Sequence, residues 1–421
     1  MNSNGELYKP WIEFKDNLIL VVNCGSSSIK VSLFEYDEKI YHRLLDANLK
    51  NLNTDKRRLE ISCSQGKETF PSAIPLNIGE GLKFIFKTIT DKFNFAFTSV
   101  MGIGHRFVHG GNQFCSSILI DSTIILDLEK LSDLAPLHND ACLSGIKECL
   151  DLYGSIPQIA IFDTSFHQTL PAVAANYAIP NEMSFKFQIK RYGFHGISHE
   201  FLWNTYKEHI GQNHPKNSKI ITIHLGNGCS ITAISGGISI DTSMGFTPAE
   251  GLMMATRAGD IDAAIIEFIC QHDKKTSSEV MEILNFYSGL LGVSGISSNM
   301  ETLLELYHKN EKAQLAVDMF CYRIVKYLGS YISVLGGIDA MIFSGGIGEN
   351  SPIIREQIMS KMEWYGLKLE QKANQQAIGL HPGEIKKINA LDSAVPLYVV
   401  ASDENLFIAK EVQRITCSNF K

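Results

Sequence analysis

Two stretches of this chain share one pattern of apolar and polar positions. In residues 18–36, LILVVNCGSSSIKVSLFEY, an apolar run enters a turn of Asn23, Cys24, Gly25 and three serines. It leaves with Ile29, Val31 and Leu33 alternating against Lys30 and Ser32. Residues 220–237, IITIHLGNGCSITAISGG, repeat the pattern: a β-branched run, a Gly/Asn turn, then alternation. Alternation with a period of two puts successive side chains on opposite faces of a strand, so both stretches predict strand–polar turn–strand units. Their recurrence about 200 residues apart predicts a duplicated architecture with one copy per domain.

A third glycine-rich stretch, IDAMIFSGGIGENSPIIREQI, differs. Its strand at 340–343 runs into Ser-Gly-Gly-Ile-Gly-Glu-Asn, after which Ser351 and Pro352 supply an N-cap and a first-turn proline for a helix beginning near Ile353. A strand–Gly turn–helix entry favours anions through its backbone N–H groups and the helix dipole. Helical periodicity predicts helices over 313–335, 260–272 and 81–92. Residues 48–66, polar and weakly patterned, predict an exposed hairpin region, and 205–219 a helix closed by the loop GQNHPKNSK. Strands and helices alternate, the mark of an α/β protein.

Composition narrows the classes. At 421 residues the chain has room for two or three domains, and 45% hydrophobic with 20% charged residues excludes disorder as the dominant state. Lys plus Arg total 38 against 45 Asp plus Glu, a net charge of −7, which lacks the basic footprint of a nucleic-acid coat. Nine cysteines with no C-x-x-C pair, several of them in apolar runs, predict reduced thiols rather than a disulfide framework or a structural zinc site. The N-terminus has no basic n-region, and the apolar run at 18–22 is too short for a signal or a membrane span. The expectation is a cytoplasmic protein without membrane or nucleic-acid partners.

Neither a Walker A loop nor a Rossmann G-x-G-x-x-G is present. Hairpin turns rich in Gly, Ser and Asn can cradle phosphate through N–H and hydroxyl donors, although any one of them is more often an ordinary tight turn. A second constellation gathers His, Arg and Asp beside small residues: GHRFVHGG (His105, Arg106, His109), PLHND (His138), FDTSFHQT (Asp163, His167), YGFHGISH (His195, His199) and TRAGDID (Arg257, Asp260, Asp262). Several of these histidines lie in Gly contexts that predict loops. Each taken alone is more often structural than catalytic. His195 and His199 have the spacing of a zinc pair, but no intervening Glu follows the metalloprotease pattern and Gly196 argues against a helix there. Cationic Arg and His, with a carboxylate or Asn to hold Mg2+, form the set that an anionic acceptor and a phosphoryl donor require.

Together these segments resemble the acetokinase family, the acetate kinases of the acetate and sugar kinase/actin superfamily. The resemblance runs from Val21 to Ala409 and is carried by NCGSSSIK, GHRFVHGG, APLHN, FDTSFHQTLP, RYGFHGISH, HLGNGCS, DTSMGFTPAEGLMMATRAGDID, SGLLGVSGIS and GGIGENS in the family's order. It implies two duplicated ribonuclease-H-like α/β domains with an interdomain active-site cleft. The first would comprise 1–165 plus a returning C-terminal helix at 402–421; the second, 166–401, would serve nucleotide binding and dimerisation. It further implies a homodimer that transfers the γ-phosphoryl of ATP reversibly and in line to acetate, giving acetyl phosphate and ADP. Mg2+ would assist, with Mn2+ able to substitute.

By the same resemblance Asn23 and Glu404 match the magnesium positions and Lys30 a nucleotide-phosphate contact. Arg106, Arg257, His195, His138 and Asp163 match catalytic residues. His224, Leu225, Gly226, Asn227 and Gly228 match a phosphate loop, and Gly346, Ile347, Gly348, Glu349 and Asn350 an adenosine-side loop. Arg106, Val108, Leu137, Phe194 and Pro248 match the acetate site, Val108 being the residue that would suit acetate over a longer acid. A carboxylate acceptor is ionised at neutral pH and needs no general base, so Asp163 is expected to orient an arginine or the metal shell. After SGLLGVSGISS the family usually carries Asp-x-Arg as a nucleotide contact; here Asn299, Met300 and Glu301 stand instead, a charge reversal that bears on nucleotide choice. A propionate, butyrate or pyrophosphate-using relative and a non-catalytic binding protein on the same fold are the alternatives.

Overall fold

A computed structural model describes residues 17–52, 54, 56–71, 76–211 and 217–419; the N-terminal extension and most of the loop after residue 211 lie outside them. The chain forms two units, one from the segments up to Ser165 and from Glu404, the other Phe166–Asp403.

The first unit is built on a sheet of β1 (Leu18–Cys24), β2 (Ser28–Asp37), β3 (Ile40–Lys50), β4 (Arg58–Cys63), β5 (Gly66–Pro71), β6 (Val100–Phe107), β7 (Ile118–Leu119) and β8 (Gln158–Phe162), in the order β5-β4-β3-β2-β1-β6-β8-β7. β1 and β2 form an antiparallel hairpin with Asn23 opposite Lys30, while β1, β6 and β8 run parallel. A central strand packed on both faces reads as an unbroken apolar run, which is how Leu18 to Val22, all at most 1% exposed, appear. Residues 48–66, expected as an exposed hairpin region, do run through antiparallel strands, but one side of them is buried. Leu49, Leu52, Leu59 and Ile61 are buried in one core with Leu82, Ile85 and Phe86 of the helix Ile78–Phe93.

The helix Glu404–Asn419 lies against β6 and β1. Glycine makes this approach feasible: a Cβ at Gly104 would lie 2.5 Å from Ile408 Cγ2 and 2.7 Å from Val412 Cγ2. Gly104→Val should therefore overpack this face and cost about 1–3 kcal/mol or more in denaturant unfolding; an unchanged midpoint would contradict that packing.

The second unit carries β9 (Lys219–Leu225), β10 (Cys229–Ser235), β11 (Ile238–Thr242), β12 (Ala340–Ser344), β13 (Ile385–Lys387) and β14 (Leu397–Val400), in the order β11-β10-β9-β12-β14-β13. β9–β10–β11 are antiparallel and β9, β12 and β14 parallel. The five-strand pattern β3-β2-β1-β6-β8 of the first unit thus recurs as β11-β10-β9-β12-β14, a duplicated ribonuclease-H-like topology.

Several local expectations shift. The helix Ala264–Asp273 starts later than 260: Asp260 accepts from Gly251 N and Tyr327 Oη, and Asp262 from Ala264 N, so these carboxylates tie the entry instead of continuing the helix. The helix predicted from 205 begins at Gly196, with His195 as its N-cap at φ 56°, so Gly196 opens a helix rather than breaking one. His105 lies in β6, and His138 and His199 lie in helices, not on loops. The glycines after β12 form the short helix Gly345–Asn350 rather than a turn, and Ser351 caps the next helix, Pro352–Ser360. Gly345, at φ +76°, has no room for a Cβ, which would meet the Leu225 backbone at 2.7 Å.

Candidate active site

In open α/β sheets, ligand-binding residues collect at the carboxyl ends of parallel strands. In the first unit Asn23 is next to the end of β1, Arg106 is near the end of β6 and Asp163 follows β8. Arg106 Nε donates to Asp163 Oδ1 at 3.0 Å and Nη2 to Oδ2 at 2.5 Å, a two-pronged pair. Asp163 is 1% exposed. Burial pushes its carboxyl up and the guanidinium restrains the rise. Both oxygens accept N–H bonds, the geometry of an ionised carboxylate. Burial works against the Arg106 charge as well, but Asp163 and Glu404 outweigh it and hold the guanidinium protonated.

Glu404 opens the helix Glu404–Asn419 within electrostatic reach of this pair. Asn23 and Glu404 offer only hard oxygen donors, and no group of three or more His, Cys, Asp or Glu able to hold a metal occurs among the described residues. One or two protein oxygens completed by substrate phosphates and water is the manner of Mg2+, so this donor set fits that ion. Lys30 is exposed, Val108 is buried and His138 is half-buried in the helix Pro136–Tyr153. The Leu137 side chain lies outside the described residues.

In the second unit the β9–β10 turn brings three expected residues together. A Cβ at Gly228 would lie 3.1 Å from His195 Cε1 and 3.6 Å from Arg257 Nη1, so the turn backbone faces both side chains. Arg257 Nη1 donates to the Pro248 carbonyl at 3.1 Å. The His224 ring stands 4.5 Å from that of His195, and His224 Nδ1 is hydrogen-bonded to Ser198 Oγ. Leu225 is fully buried, so only its backbone can face a ligand, and Phe194 is 1% exposed.

The same turn opens onto a cavity of about 820 Å3 lined by Gly226, Asn227, Asn299 to Glu301, Glu305, Gly346, Ile347 and Asn350, among others. Segments far apart in sequence and expected at the nucleotide thus share one cavity, of a size ordinary for ligand pockets. Glu301 and Glu305 bring two carboxylates to its wall, on the helix Met300–Leu306. Glu349 is turned elsewhere: its Oε1 accepts from Gly345 N, Ser344 Oγ and Ser402.

A support that the motifs did not reveal lies behind His195. Its Nδ1 is bonded to Ser230 Oγ at 2.9 Å; the same oxygen is bonded to His199 Nε2 at 2.7 Å, and His199 Nδ1 to Thr222 Oγ1. Burial holds His199 well below the ordinary histidine range, hence neutral. His167, also kept neutral by burial and lowered to about 4, bonds the Phe194 carbonyl and Ser239. Thr222 and Ser230 sit on alternating strand positions, where a hydroxyl looks like any polar residue; only the register of β9 and β10 brings them together.

Comparison with known proteins adds the family. The acetokinase family model matches residues 18–410. An acetate kinase of Dictyoglomus thermophilum is 41% identical over 403 residues, covering 94% of this chain and 98% of its own length. The crystal structure of Porphyromonas gingivalis acetate kinase superposes with a TM-score of 0.87 at 36% identity, covering 95% of this chain and 99% of its own. A propionate kinase from Francisella tularensis does so with a TM-score of 0.87 at 36% identity, covering 94% and 99%.

Proposed function

Because the chain belongs to the acetokinase family, we propose that it transfers the γ-phosphoryl of ATP reversibly to acetate, yielding acetyl phosphate and ADP. The observation that carries this reading is the Gly226–Gly228 turn, which lines the nucleotide-sized cavity and backs onto His195 and Arg257. A phosphate chain reaching from the cavity would meet the Arg257 guanidinium and the His195 ring where the transferring group carries its charge.

The acetate carboxylate is already ionised, so one of its oxygens attacks the γ-phosphorus directly. That O–P bond forms as the bond to the β–γ bridging oxygen breaks, and no proton need move. The difficulty is the approach of two anions, met by Arg106, Arg257 and His195. Asp163 serves by holding Arg106, to which both its oxygens are bonded, and the already ionised acceptor asks for no base. Mg2+, bound through Asn23 and Glu404, would supply charge neutralisation at the phosphates, and Mn2+ would substitute. Lys30 contacts the nucleotide phosphates and His138 completes the site. Asn227 belongs to the phosphate loop, and Asn299, Met300, Glu301, Gly346, Ile347, Gly348 and Asn350 surround the nucleoside, while Val108, Leu137, Phe194 and Pro248 enclose the acyl methyl.

His195 depends on Ser230 for its orientation. Ser230→Ala removes the hydrogen bonds to both His195 and His199; loss of the one that orients His195, about 1.4 kcal/mol, should lower kcat about tenfold. Steady-state rates check this, and an unchanged kcat would remove Ser230 from the account.

The second unit, 166–401 in this reading, carries the nucleotide and the interface of a homodimer. Val173, Phe185 and Phe268 are exposed apolar side chains of this unit that such an interface could cover. No helix of the described residues is long and apolar enough to cross a membrane; the location proposed is the cytoplasm, a compartment that keeps free thiols such as these nine cysteines reduced.

Likeness to a propionate kinase makes the acid a separate question. Trapping acyl phosphates with hydroxylamine, with acetate, propionate and butyrate crossed against ATP, GTP and pyrophosphate, should give the highest kcat/KM for acetate with ATP. Preference for a longer acid would overturn the role of Val108, and preference for pyrophosphate would overturn the use of the cavity. No product with any pair would refute the activity.

A further inference from the structure

Arg355 is a cation enclosed in neutral oxygens. It lies in the helix Pro352–Ser360 and is 0% exposed. Its Nε donates to Asn374 Oδ1 at 2.7 Å. Nη1 donates to the Gly348 carbonyl at 2.7 Å and the Glu349 carbonyl at 2.8 Å, and Nη2 to the Asn374 carbonyl at 2.7 Å and the Ala377 carbonyl at 3.0 Å. A guanidinium has five N–H donors, so the set is saturated. Among the described residues no carboxylate forms an ion pair with it, and burial lowers its pKa to about 10, which leaves it charged. The acceptors are carbonyls at the ends of two short helices, Gly345–Asn350 and Gln371–Gln376, where orphan C=O groups and the dipole favour a cation.

A buried charge without a counter-charge is costly, and an apolar side chain would fill the volume more cheaply. What an apolar side chain could not do is fix the Gly348 and Glu349 carbonyls. These belong to the segment whose Gly346, Ile347 and Asn350 form one wall of the 820 Å3 cavity, and Pro352 and Ile353, beside Arg355 in sequence, line the same wall. The segment is pinned from within by Glu349. Its Oε1 accepts from Gly345 N at 2.8 Å, Ser344 Oγ at 3.1 Å, Ser402 N at 3.0 Å and Ser402 Oγ at 3.1 Å. Asn350 adds a bond to Gly346 O and one from Gly379 N.

We infer that Arg355 and Glu349 are positioning residues that hold the Gly345–Asn350 wall in the shape that receives the nucleotide, Glu349 acting through this wall rather than as a ligand itself. The inference rests on the reading of the cavity as the nucleotide site. Arg355→Lys retains the charge but offers three donors in place of five, so part of the wall is released.

ADP binding to the full chain by calorimetry, beside steady-state kinetics, tests this. Arg355→Lys should weaken ADP and raise the KM for ATP by about tenfold, the worth of one charge-assisted hydrogen bond, with kcat and the KM for acetate within about twofold. Glu349→Gln, which keeps an acceptor but removes the charge, should weaken ADP several-fold and carries the test if the lysine variant does not fold. Unchanged ADP affinity in the folded variants, or a loss spread equally over kcat and both KM values, would overturn the inference. A wild-type chain that turns over but binds no ADP would overturn the nucleotide reading beneath it.

Discussion

Arg257→Ala should lower kcat by about 10³-fold or more while leaving the chain folded, the scale seen for arginines that stabilise phosphoryl transfer. The argument is geometric. Arg257 is held by the Pro248 carbonyl and stands 3.6 Å from where a Cβ on Gly228 would be, beside His195. It therefore fronts the Gly226–Gly228 turn, part of which lines the cavity, where the proposed transfer places the charge of the moving group. Its removal takes one donor from the Pro248 carbonyl, a loss on the scale of a single hydrogen bond, so stability should change little compared with rate. Lysine keeps the charge but loses the planar fork and should recover only part of the activity. ADP release measured at saturating acetate and ATP reads the effect directly; a loss under tenfold would remove Arg257 from the catalytic set.

Arg106→Ala should cost as much in rate and also destabilise the first unit. Asp163 is almost fully buried and bonded at both oxygens to this guanidinium. Removing one partner of a buried pair typically costs about 3–5 kcal/mol. The pH dependence follows from the directions. Burial and Glu404 both raise the Asp163 carboxyl, and Arg106 opposes them. Without Arg106 the folded-state pKa stands well above the unfolded value of about 3.9, so the folded variant holds its proton more tightly than the unfolded chain. The variant's deficit against wild type should then be small at acid pH and grow as pH rises through the raised pKa. Unfolding midpoints at pH 5 and pH 8 check the sign; a deficit that shrinks toward pH 8 would contradict it. Arg106→Lys, retaining a charge, should show less of this pH effect but still lose much of the rate.

The parts of this molecule that depend on local pattern were legible in the chain. Residues 18–36 and 220–237 announce their hairpins because alternation and turn residues act over a few positions, and β12 with its Ser351–Pro352 helix start is equally local. Elements that tertiary partners decide were not. Residues 48–66 look polar because Arg58 and Glu60 alternate with Leu59 and Ile61, and only a helix packed on the other face makes that a half-buried strand. Gly196 reads as a breaker until His195, in the left-handed region, caps the helix that starts there. In the site, the resemblance named Arg106, Asp163, His195 and Arg257, whereas Ser230 and Thr222, and their bonds to His199, emerge only from the register of two strands. Arg355 is the extreme case. It sits in an ordinary amphipathic stretch, IIREQI, and its partners Asn374 and Ala377 lie 19 and 22 residues away.

The central claim is direct phosphoryl transfer from ATP to acetate, and phosphorus NMR of the purified full chain with both substrates and Mg2+ tests it most directly. Acetyl phosphate and ADP should appear in equal amounts, and added ADP with acetyl phosphate should return ATP. ADP accompanied by inorganic phosphate and no acetyl phosphate, or no turnover of ATP at all, would contradict the account.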